Sequence, residues 1–83
     1  MYYTYIIYSS TLDKYYIGHT VDVFQRLGQH NSGISTYTSK ANDWQLMWQQ
    51  AFETRTLARE CELRLKKKKS RRYLEWLIAN EGS

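Results

Sequence analysis

Apolar and polar residues alternate along three stretches of the chain and recur at three- and four-residue spacing along three others. The two patterns together predict strands mixed with helices. Residues 2–8 (YYTYIIY) and 15–20 (YYIGHT) are rich in aromatic and β-branched side chains, which suit a pleated, half-buried surface. The connection over residues 9–14 is polar except for Leu12, so the pair predicts an antiparallel hairpin with a loop longer than two residues. Alternation places Tyr8 on one face with Tyr2, Thr4 and Ile6, and Tyr16 on a face with Gly18. The end of the first strand opposes the start of the second, so Tyr8 is expected beside the Tyr15-Tyr16 pair. Gly18 removes a side chain and is expected to let a ligand or another backbone come close.

The pattern then changes period. A short helix is predicted over residues 21–29, with Thr20 as its N-cap and Asp22 in its first turn. Val23, Phe24 and Leu27 form its apolar side, and Asp22, Arg26 and His30 form a polar stripe beside it. Gly33 or Asn31 closes it in a left-handed conformation. Residues 34–43 read as a loop or one irregular turn, with Tyr37 and Lys40 as its bulky candidates for touching a ligand. Residues 44–52 read as a third strand, with Leu46, Trp48 and Phe52 on one face and Met47 and Ala51 on the other. Thr54 or Thr56 caps a helix over residues 55–69 whose buried stripe is Leu57, Ala58, Cys61 and Leu65. Glu62 sits at the edge of that stripe and Glu60 about 160° away around the helix, so only one of the two can face a given site. Lys66 follows Glu62 at the favourable i+4 spacing. Ser70 caps a last helix over residues 71–79 that buries Tyr73, Leu74, Leu77 and Ile78. The fold class is α/β (α+β): a single domain over residues 1–83, with a three-stranded, mainly antiparallel sheet flanked by helices.

Charge sharpens the picture. The net charge is +4, and nine of the twelve lysines and arginines fall between Arg55 and Arg72. A cluster of this kind favours a polyanion, nucleic acid first. Lys14, Lys40, Lys66 to Lys69, Arg71 and Arg72 are the candidates for phosphate contacts, which position a strand without reading its sequence. The apolar runs are too short to span a bilayer, and no secretion signal is seen. The one cysteine, Cys61, falls on a buried stripe and cannot form an internal disulfide. These features favour a reducing, cytoplasmic setting. Cys61, His19 and His30 lack the spacing of a metal site.

Ile6-Ile7-Tyr8, Tyr16-Ile17-Gly18, Arg26, His30 and Glu62 follow one another at spacings that resemble those of the GIY-YIG nuclease superfamily. Isoleucine stands where the first motif has glycine, a position that contributes backbone. The segment YIGHTVDVFQRLGQHNSG looks like the family's second strand and first helix, and FETRTLARECELRLKK resembles the segment through its glutamate helix. The likeness covers nearly the whole chain. It is greatest to small stand-alone bacterial members related to the excision-repair incision nuclease and the structure-specific junction nucleases. The resemblance implies hydrolysis of DNA phosphodiesters with one Mg²⁺ (or Mn²⁺), and a role in repair or recombination. Glu62 would hold the metal, in keeping with the few protein ligands that Mg²⁺ takes. Arg26 would stabilise charge on the non-bridging oxygens. His30 would orient a tyrosine hydroxyl or relay its proton, and Tyr8 or Tyr16 would act as general base. Gly18, Lys14, Lys40, Lys66, Lys67 and Arg71 would face DNA. Specificity would be for shape, or be supplied by a partner protein. Two other readings compete: a non-catalytic module whose tyrosines stack on bases, and a protein-interaction domain with a basic helix.

Overall fold

A computed structural model of the chain describes residues 1–33 and 38–81. The elements run β1 (Tyr2–Ser9), β2 (Lys14–Thr20), α1 (Val23–Asn31), β3 (Gln45–Phe52), α2 (Arg55–Lys68) and α3 (Arg71–Glu81). β1 lies in the middle of the sheet, antiparallel to β2 on one side and to β3 on the other. The fold class expected from the pattern is the one observed. Tyr37 lies outside the described residues.

Strand alternation gives β1 two buried faces. Ile6 packs with Ile17, Trp48, Cys61, Leu65, Leu74 and Leu77, under α2 and α3. Tyr5 and Ile7 pack on the other face with Val23, Ala41 and Trp44, against α1 and the segment after it. Thr4 lies on the Ile6 face, where its hydroxyl donates to the Ala58 carbonyl at 2.6 Å and ties β1 to α2. A central strand covered on both sides needs a near-continuous apolar run, which is why Tyr5, Ile6 and Ile7 are all buried.

Three local expectations change. The N-cap of α1 is Asp22, whose carboxylate accepts the Gln25 N–H at 3.0 Å; Thr20 instead accepts from the Asp22 N–H, one step further out. Phe24 and Leu57 are exposed rather than core, because the packed stripes of these helices are narrow and one residue is about 100° of turn. In β3, Ile6 pairs with Trp48 but Ile7 pairs with Leu46, so a bulge falls between them. Trp48 and Phe52 therefore join the Ile6 cluster while Leu46 joins Ile7 and Trp44. An extra residue in one strand re-aims every side chain beyond it.

The other caps form as the sequence suggested. The Thr54 hydroxyl accepts the Leu57 N–H and the Ser70 hydroxyl accepts the Tyr73 N–H. Gly33 takes the left-handed conformation after α1, with φ of 83°. The hairpin turn is held from outside by Asp43, whose carboxylate accepts from the hydroxyls of Ser9, Ser10 and Thr11 and from the Thr11 N–H. Those bonds, the one from Ser9 foremost, hold its pKa well below the usual carboxylate range. Among the described residues no helix is long and apolar enough to cross a membrane.

Candidate active site

The β1–β2 register places Tyr5 directly across from Gly18. The Tyr5 ring lies over the glycine: a Cβ there would stand 2.5 Å from the Tyr5 hydroxyl oxygen and 3.2 Å from Cε1 of Tyr16. Gly18 thus makes room for a tyrosine of its own sheet rather than presenting open backbone to a strand of DNA. Tyr16 pairs with Ile7, which puts it on the same face as Tyr5.

His30 joins the two tyrosines. Its Nε2 is 2.8 Å from the Tyr5 hydroxyl, its Nδ1 is 2.7 Å from the Thr38 hydroxyl, and its ring meets Tyr16 edge-on at 5.0 Å between centroids. The expected polar stripe on α1 therefore splits: Asp22 caps, Arg26 is half-buried, and His30 is fully buried. Thr38, between α1 and β3, is held by Trp44, whose indole N–H donates to the Thr38 carbonyl at 3.0 Å. Asn31 clamps the Trp44 backbone at both its N–H and its carbonyl.

Burial sets the protonation of this cluster. It pushes the Tyr5 phenol up to about 12, with Tyr16 adding to the shift, while the adjacent Arg26 guanidinium pulls the other way. It pushes His30 down to about 4, with Arg26 adding to that effect. At neutral pH the imidazole is uncharged, with one N–H to donate and one lone pair to accept.

At the open side of the cluster, Glu62 of α2 meets His19 of β2, Oε1 to Nδ1 at 2.5 Å, and Lys66 at 2.6 Å from Oε2. Burial opposes its charge, but the bonds from Lys66 and His19 outweigh burial, and its pKa sits below the ordinary value. Lys66 also lies over the Tyr16 ring, 5.8 Å from its centroid. Arg26 donates to the Gln29 side-chain oxygen at 2.8 Å. Glu60 is exposed, so of the two glutamates it is Glu62 that faces the tyrosines.

Tyr8 is not in this cluster. It pairs with Tyr15 on the Ile6 face, three residues from Tyr5 and so on the other side of the strand. Its hydroxyl donates to Asp13, a bond that raises its pKa. Arg71 holds the same carboxylate at 2.7 Å and reaches Glu75 at 3.2 Å. Pairing with Tyr15 puts Tyr8 on Tyr15's face, which is the face opposite Tyr16. Tyr5, not Tyr8, is the β1 tyrosine that lies across from Gly18.

Four residues of this region escaped the sequence reading as site members: Tyr5, His19, Thr38 and Asp43. For Tyr5 a signal existed, because pairing Ser9 with Lys14 sets Tyr5 opposite the glycine. His19, Thr38 and Asp43 act through contacts 43, 8 and up to 34 positions away in sequence, which no local pattern contains. Among the phosphate candidates, Lys14, Lys66 and Arg71 border one cleft beside the site. Lys67 is exposed on α2, and Lys40 is exposed on the turn after Thr38.

The described residues hold no group of three His, Cys, Asp or Glu side chains able to cage a metal. What the structure offers is one partly exposed carboxylate with an imidazole beside it. Of these, the carboxylate alone suits a hydrated, oxygen-preferring ion such as Mg²⁺ or Mn²⁺, which takes the rest of its shell from water and substrate oxygens; both of its oxygens are engaged here, by His19 and Lys66.

Residues 1–74 match the GIY-YIG catalytic domain. A UPF0213 protein of Streptococcus pneumoniae serotype 4 is 38% identical over 69 residues, covering 82% of this chain and 70% of its own. A UPF0213 protein of Listeria monocytogenes serotype 4b is 35% identical over 72 residues, covering 86% and 81%. No solved structure matches. With a domain match across most of its length and relatives of this kind, the chain belongs to the GIY-YIG family, a domain type that implies nuclease activity.

Proposed function

We propose that this protein is a metal-dependent endonuclease that hydrolyses DNA phosphodiesters by shape rather than sequence, with Tyr5, Tyr16, Arg26, His30 and Glu62 as its site. The observation that carries the reading is the convergence of two phenols, a neutral imidazole, a guanidinium and a carboxylate around one glycine of the sheet.

Each residue has a task. Tyr5 is the general base. In the tautomer that carries its proton on Nε2, His30 donates to the Tyr5 oxygen, and the Thr38 hydroxyl donates to Nδ1. A phenolate at Tyr5 then has two donors, His30 and Arg26, against part of the burial that disfavours it. Tyr16, half-exposed at the mouth, orients water or a phosphate oxygen. Arg26 stabilises the negative charge that grows on the phosphoryl oxygens. Glu62 would hold the cation, and His19 fixes its carboxylate as an outer partner. When bound, the cation supplies Lewis-acid stabilisation of the leaving oxygen. Phosphate contacts from lysine and arginine carry no sequence information. Shape preference places the activity among the flaps and junctions of DNA repair or recombination.

The test is cleavage of labelled single-stranded, duplex, flap, splayed-arm and four-way-junction DNA with Mg²⁺ or Mn²⁺, comparing the parent with Glu62→Ala. Metal-dependent cutting that the variant loses is the expected result. Binding without cleavage of any substrate by the parent would refute the proposal in favour of a non-catalytic module.

A further inference from the structure

A cleft of about 730 Å³ opens where the start of β2 faces the end of α2 and the start of α3. Its size is that of a small-molecule site. Its floor is apolar: Tyr15, Ile17, Leu65 and Leu74. Its rim is cationic: Lys14, Lys66, Lys69 and Arg71. Arg71 is a strut, since its guanidinium binds the Asp13 carboxylate and carbonyl and Glu75, and so ties α3 to the hairpin. Lys66 is held by Glu62. Lys14 and Lys69 are in no ion pair among the described residues.

Two features distinguish this cleft from an ordinary surface groove. Tyr16 and Lys66 belong both to it and to the active-site cluster, so a strand seated there enters the cleft without leaving the protein surface. Asp13 and Lys69, the two non-glycine residues with positive φ among those described, at 52° and 48°, both border it. Such backbone is disfavoured for residues with a Cβ and persists where the surroundings demand it. At Lys69, the left-handed residue that ends α2, glycine is the common choice; a lysine there keeps a cation at the rim.

We infer that the cleft is a subsite for one unpaired nucleotide of the substrate strand, next to the scissile phosphate. The inference rests on the nuclease reading and extends it to substrate class. The base lies on the apolar floor against Tyr15, a contact that tolerates any base, and its phosphates meet Lys14 and Lys69. A base within a duplex is stacked and paired and cannot enter such a cleft without being extruded. Flaps and junction arms present one already free, so the cleft confines cutting to boundaries between paired and unpaired DNA.

Fluorescence anisotropy tests this with the Glu62→Ala protein, which leaves its substrates intact, in low salt. A flap with a 5-nucleotide arm is expected to bind about 10-fold tighter than the matching duplex, in keeping with one stacked base. A 2-aminopurine at the first unpaired position, but not at the outer end of the arm, should change emission on binding. Adding Lys69→Gly should weaken flap binding several-fold while leaving duplex binding nearly unchanged. Glycine suits the left-handed position, so this change should not lower the melting temperature, which separates loss of binding from misfolding. Equal affinity for flap and duplex, or a Lys69→Gly protein that keeps the full flap preference, would overturn the inference. Flap preference present in a parent protein that cuts nothing would refute the nuclease reading and support the cleft.

Discussion

Replacing Tyr5 and Tyr8 separately by phenylalanine discriminates between the tyrosine that lies in the buried cluster with His30 and the one that the sequence motif named. Tyr5→Phe removes an oxygen 2.8 Å from His30 Nε2 in a site where Tyr5 is 2% exposed. Loss of a general base slows the chemical step by about 10²–10⁴, equivalent to roughly 3–5 kcal/mol of barrier. The same change leaves a buried imidazole nitrogen without its partner, which costs about 1–3 kcal/mol of stability. At about 4–8 °C per kcal/mol for a domain of this size, melting falls measurably, so rates must be taken well below the variant's own transition. Tyr8→Phe removes an exposed bond to Asp13 on the far face of the strand. A group that does not touch the reacting atoms leaves the chemical rate alone, within about 2-fold. The assay is single-turnover cleavage of a flap substrate at saturating protein, with circular dichroism melts of both variants. A Tyr8→Phe protein as slow as Tyr5→Phe, or a Tyr5→Phe protein within about 2-fold of the parent, would refute the assignment.

Other outcomes follow from the same geometry. Gly18→Ala puts a methyl 2.5 Å from the Tyr5 hydroxyl oxygen; the tyrosine is walled in and must shift, so cleavage should fall at least about 10²-fold with about 1–3 kcal/mol lost, and wild-type activity would show that the close approach is unimportant. His30 faces Tyr5, Tyr16, Arg26 and Thr38. Its pKa near 4 lies below the unfolded value, so its contribution is complete above about pH 6.5 and lost as pH falls toward 4, where the unfolded chain binds the extra proton. The gap corresponds to about 3 kcal/mol, to be read as a drop in the urea midpoint between pH 7 and 4; a flat midpoint over that range would contradict the burial. His19→Ala frees one oxygen of Glu62 from its partner. Outer-partner losses typically cost about 10–100-fold in metal affinity or activity, so half-maximal cleavage should need more Mg²⁺, and an unchanged metal titration would remove His19 from the site.

The alternating and helical periods determined the elements, because they record only which side chains must leave water within one strand or helix. The hairpin, the third strand, the caps at Thr54 and Ser70 and the i+4 pair of Glu62 and Lys66 are local in that sense, and all were legible. That Glu62 and Glu60 cannot face one site was legible too, as a phase angle on one helix, and the family resemblance pointed to Glu62. Faces across elements were not. Whether Tyr5 or Tyr8 meets Tyr16 depends on strand register, and a single step of register exchanges the faces. The bulge that sends Leu46 to the opposite side from Trp48 has no signature in the apolar pattern. His30 reads as polar stripe on α1, yet burial is decided by Tyr5, Tyr16 and Thr38, which come from elsewhere in the chain. The sequence alone determined what the chain could form and the kind of chemistry it carries. Tertiary packing decided which tyrosine, which imidazole and which cations share one space, because those contacts are set by how faces meet and not by spacing along the chain.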